Sequence, residues 1–165
     1  MSPSRAAFAA CLLSALSVSW ATPAFSQDAA EDADPRIGKQ LNALGYDHDI
    51  DDDGDYKLTF SFENDRSQLV YVISKVETYG KHRVREIWSP AYRSDGEGFP
   101  PIVANRLLED SQANKMGGWV KQGDMALFVV KIAADASDSE LDDAVDYAVR
   151  VADEMESELT TADEF

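Results

Sequence analysis

Two periods of hydrophobicity divide this chain. Residues 56–62, YKLTFSF, place Tyr56, Leu58, Phe60 and Phe62 on one side and Lys57, Thr59 and Ser61 on the other, the period of a strand with one face in a core. Leu69-Val70-Tyr71-Val72-Ile73 is apolar on both faces, as a central strand would be. Arg83 to Trp88 forms a third long strand, which Pro90 is expected to end. Trp119-Val120 and Met125 to Ile132 flank Gln122-Gly123-Asp124, a hairpin corner.

Three other stretches carry helical spacing. Ile37, Leu41 and Leu44 recur on one face between the start signal Asp34-Pro35 and the stop at Gly45. Ile102, Val103, Leu107, Leu108 and Ala113 define a second helix after the glycine- and proline-rich segment YRSDGEGFPP. Leu141, Val145, Ala148, Ala152, Met155 and Leu159 define a long third one, opened by the capping box Ser137-Asp138-Ser139-Glu140. The order is α-β-β-β-α-β-β-α. Strands joined by tight turns pair antiparallel, so the expected fold class is α+β, an antiparallel sheet with helices packed on it.

The first 26 residues change the picture of where such a domain works. Arg5 precedes an apolar stretch from Ala6 to Trp20, and Ala24-Phe25-Ser26 places small residues for cleavage before Gln27, the layout of a secretory signal peptide, too short to span a bilayer. The expected address is periplasmic or secreted, with no membrane insertion after cleavage. Removing residues 1–26 takes away Cys11, the only cysteine, so no disulfide is available in an oxidising compartment. Residues 27–34, QDAAEDAD, read as a flexible acidic leader, 35–160 as one domain, and 161–165 as a tail.

The chain carries 15 basic against 31 acidic residues, a formal charge of −16, and the cleaved segment contributes Arg5 and no acid. Such a surface repels nucleic acid and anionic lipid, and attracts cations and basic segments. The densest acidic run is DHDIDDDGDY, residues 47–56. Read as an EF-hand loop from Asp49, it places Asp49, Asp51, Asp53 and Gly54 at positions one, three, five and six. Position twelve, where a bidentate glutamate must close the sphere, is Phe60. The competing reading is a hairpin, with His48 to Asp51 as an edge strand and Asp52-Asp53-Gly54-Asp55 as its turn.

Little other chemistry is written in the residues. His48 and His82 stand in no metal-ligand spacing, and there is no nucleophile elbow, phosphate-binding loop or dinucleotide fingerprint. No catalytic residue and no cofactor is therefore expected. Trp88, Tyr92 and Trp119 are candidates for contact with a partner, because aromatic side chains at the ends of strands can stack on a ligand.

The segments LNALGYDHDIDDDGDYKLTFSF, Leu69–Ile73, NRLLEDSQANKMGGWV and Met125–Ile132 followed by a helix together resemble the YbjN-like family, across about residues 35–160. That resemblance implies the fold of type III secretion chaperones and a noncatalytic protein, a sensory or regulatory factor. The chaperone relatives are dimers that hold extended partner segments along the sheet; they are cytoplasmic, whereas this chain carries an export signal. The expected function is a noncatalytic exported module that binds a protein or peptide partner, with homodimerisation open. The alternative is a calcium-binding protein using Asp49, Asp51, Asp53 and Asp55.

Overall fold

A computed structural model describes residues 32–62, 66–96, 98–160 and 162–165. The signal peptide and most of the leader expected from the sequence lie outside those residues. The described residues form three helices of ten or more residues and a seven-stranded sheet: α1 (Pro35–Leu44), β1 (Asp49–Ile50), β2 (Tyr56–Ser61), β3 (Ser67–Val72), β4 (Glu77–Tyr79), β5 (His82–Arg93), α2 (Pro101–Ala113), β6 (Gly118–Gln122), β7 (Met125–Ala133) and α3 (Asp138–Leu159). The strand order is β1-β2-β3-β5-β7-β6, with β4 pairing the outer half of β5, and every pairing is antiparallel. The α+β layer expected from the hydrophobic pattern is the observed fold; β1 falls within the edge strand of the hairpin reading, and β4 is a short addition.

All three helices pack against one face of the sheet. The core there joins Leu58, Val70, Ile87, Phe128 and Val130 from the strands to Ile37 and Leu41 of α1, Leu107 of α2, and Leu141, Val145, Ala148, Val149, Ala152 and Met155 of α3. Each large side chain buried in this way contributes roughly 1.5–3 kcal/mol. Ala144, Ala148 and Ala152, spaced by four residues and fully buried, keep α3 slim where it crosses the sheet. Ser137 starts α3 with the capping box read from the sequence, its hydroxyl accepting from the Glu140 N–H while the Glu140 carboxylate accepts from the Ser137 N–H.

A buried ionic link ties α1 to the sheet. Asp34 caps α1 by accepting from the Arg36 N–H and also takes the Arg85 guanidinium at 2.6 Å. Arg85 is only 3% exposed, and its other terminal nitrogen donates to the carbonyls of Ile73 and Ser74. Asp34 thus belongs to the folded body as a cap and an anchor.

Pro90 does not end its strand. β5 continues to Arg93, with a register shift between Pro90 and Tyr92. The sheet tolerates the proline because side chains replace the missing ladder bonds on its β3 side: the Ser89 hydroxyl donates to the Leu69 carbonyl and the buried Gln68 amide donates to the Pro90 carbonyl. The second helix also departs from the simple amphipathic expectation. Leu107 is buried, but Ile102 is 79% exposed and Leu108 66%.

Candidate functional site

The other face of the sheet carries no helix among the described residues, and its side chains follow from register. Tyr71 stands opposite Trp88, Trp88 opposite Val129, Pro90 opposite Leu127, and Leu127 opposite Val120. Directly paired residues share a face, so this apolar set lies on the side away from the helices. It forms a cleft of about 280 Å³ floored by Leu69, Tyr71, Ile73, Trp88, Pro90, Met125 and Leu127. The Trp88 indole N–H donates to Glu86 at 2.8 Å, and Glu86 also pairs with Lys131 at 2.7 Å. One edge of the indole is thereby anchored.

The two ends of the cleft differ in charge. At one end stand Asp51, Asp53 and Asp55, at the other Arg93 and Phe165. Burial and the neighbouring Asp51 carboxylate raise the Tyr71 hydroxyl above its ordinary value. Asp55 is likewise raised by burial and by the charges of Asp51 and Asp53, against the Ser74 N–H that holds its carboxylate at 2.7 Å. Two acids raising a third mark a local excess of negative charge that a cationic group would relieve.

The aspartate run forms the hairpin corner. β1 pairs with β2 through Asp49 opposite Lys57 and Ile50 opposite Tyr56, and Gly54, at φ 80°, supplies the left-handed turn residue. Asp51 spends its side chain inside the loop, one oxygen accepting from the N–H groups of both Asp53 and Asp55. Asp49 lies on the edge strand, outside the cleft lining. Among the described residues no three His, Cys, Asp or Glu side chains are grouped to hold a metal ion.

The three candidate aromatic residues are not brought together. Trp88 is central to the open-face cleft. Trp119 pairs with Phe128 and packs against the helix-side core, its ring centroid 5.2 Å from that of Phe128 and its indole N–H donating to Asp110 at 2.8 Å. Tyr92, moved to the helix side by the register shift, meets Phe99 edge-to-face at 5.7 Å. Both rings are partly buried against the core, and Trp119 also lines a separate surface groove with Phe99, Leu107, Leu108 and Val120. Neither histidine lies in the cleft: His48 stands beside Tyr56 and His82 begins β5.

Sequence reasoning missed Leu69, Pro90, Arg93, Leu127 and Phe165 as members of the site. The strand residues were within reach of parity, since 69 and 71, 88 and 90, and 125 and 127 alternate with the core positions; Phe165 left no periodic signal. No family model matches the chain, and no curated protein sequence matches it. No helix among the described residues is long and apolar enough to cross a membrane.

Proposed function

We propose that this protein is a noncatalytic binding module of YbjN-like kind, exported to the periplasm or beyond, that holds a protein or peptide segment in the open-face cleft. The observation that carries this reading is an apolar floor built from three adjacent strands, β3, β5 and β7, with carboxylates at one end. Its chemistry fits an extended segment with apolar side chains toward Trp88 and Leu127 and a lysine or arginine toward Asp51, Asp53 and Asp55. The excess of acids over the whole chain favours the same sign of partner at long range and disfavours nucleic acid. Burying two or three apolar side chains, less the cost of ordering the peptide, corresponds to a Kd of roughly 10–100 µM.

The support lies with the face of the sheet more than with its edges. β1 is two residues long, and the outward Trp119 N–H of β6 is already taken by Ser111 of α2 at 2.9 Å. The two ends of the strand order are poor templates for an added strand. Titration calorimetry should show saturable binding of an eight-residue peptide alternating leucine and lysine, lost in Trp88→Ala and weakened by salt. A leucine–glutamate peptide binding equally well, or no binding of either, overturns the reading. A change in oligomeric state on titration would assign the face to a second copy of the chain.

A further inference from the structure

One end of the cleft is already filled by the chain itself. After α3 the backbone turns back, and residues 162–165 run along the end of β3 and β5. Asp163 accepts from the Ser67 N–H at 3.2 Å and from its hydroxyl. Glu164 pairs with Arg93 at 2.7 Å, and Phe165 lies with the Arg93 guanidinium 5.9 Å from its ring centroid. Phe165 is 6% exposed and lines the same cleft as Leu69, Trp88 and Pro90.

A dedicated acceptor sits beneath this segment. Glu156 of α3 has no exposed side-chain surface, and one of its oxygens takes the Glu164 N–H at 2.7 Å while the other meets Arg66 at 3.2 Å. A carboxylate buried at this depth is costly unless its oxygens are satisfied, and here a tail amide supplies part of that satisfaction. The segment is acidic on an acidic chain, so general electrostatics would repel it; Arg66 and Arg93 reverse that locally.

We propose that residues 163–165 are an intramolecular ligand of the open-face cleft, and that its Arg93 end recognises an acidic residue followed by an aromatic one. A partner carrying that pair displaces the tail. This rests on the cleft being a binding site and adds its occupancy and the partner chemistry at the Arg93 end. Tethered, the tail acts at an effective concentration on the order of millimolar, so an external segment must exceed that level or bring further contacts along the apolar floor.

The test uses the full chain and a synthetic peptide of residues 162–165, Ala-Asp-Glu-Phe, amidated at its end so that only side chains and amides are read. Phe165→Ala should bind this peptide, seen by Trp88 fluorescence, at least tenfold more tightly than the unaltered chain. The peptide ending in alanine should not bind, and adding Arg93→Ala to Phe165→Ala should abolish the gain. Circular dichroism checks that the variants fold. Should Phe165→Ala unfold, Glu164→Gln, at a half-exposed side chain, loosens the tail without removing the ring and should raise peptide binding severalfold. No gain in either folded variant overturns the proposal. The leucine–lysine peptide binding to a chain that gains nothing with Ala-Asp-Glu-Phe would leave the cleft a binding site and remove only its tail occupant.

Discussion

Among single residues, Asp34 and Arg85 decide how the first helix is held. Arg36, and with it Arg85, keeps the Asp34 carboxyl well below the ordinary carboxylate range. A carboxyl more acidic in the folded than the unfolded chain contributes stability that is complete above its ordinary value of 3.8 and is lost as pH falls below it. Asp34→Asn keeps a good cap but leaves the buried Arg85 uncompensated, at a cost of about 3 kcal/mol. Urea titrations should show this difference at pH 7 and a shrinking gap as pH falls below about 4. Gly117 is a second such position. At φ 122° a Cβ there would stand 2.4 Å from the Val129 carbonyl oxygen, so Gly117→Ala should lose roughly 2 kcal/mol or more in the same titration. The Asp34 cap was legible because its signal spans three residues. Its bond to Arg85 was not, because the two are 51 positions apart and only the fold brings them together.

For the elements, local chemistry and hydrophobic period told most of the story, and failure came where tertiary partners override a local rule. The capping box of α3 is a case of the first kind. Ser137→Ala should cost about 1 kcal/mol, lowering Tm by roughly 4 °C in calorimetry. Pro90 is the opposite case: a proline reads as a stop, yet Ser89 and Gln68 supply bonds that carry β5 three residues further. Gln68→Leu removes the donor to the Pro90 carbonyl and should cost about 1–3 kcal/mol, with hydrogen exchange rising in 89–93 more than in the first half of β5. Alternation placed Leu58 and Phe60 on the correct side. The same parity separates Trp88 from Trp119, but only once registers are known, since the chain alone does not say which strand lies opposite which.

For the whole molecule, charge and layering set the terms. With 31 acidic residues against 15 basic, self-repulsion opposes the compact state, and added salt screens it. Raising sodium chloride from 20 to 300 mM, a shift from a Debye length of about 20 Å to about 6 Å, should therefore raise Tm, whereas the leucine–lysine peptide should bind more weakly over the same range. One medium would stabilise the fold and loosen its complex. The layering was readable because three amphipathic helices and a sheet have few ways to bury their apolar sides. That the sheet keeps a second apolar face, and that the closing residues lie across its end, depends on contacts that join positions 66 and 163, or 93 and 164, and no local pattern announces them.

The guarding of β6 by the Ser111 hydroxyl, together with the brevity of β1, bears on how such a chain survives crowding. A sheet this apolar with two bare margins would invite its neighbours to stack into ribbons. With the Trp119 N–H of β6 taken by α2 and β1 cut to two residues, concentrated solutions should stay free of fibrils, and Ser111→Val should make them more prone to form.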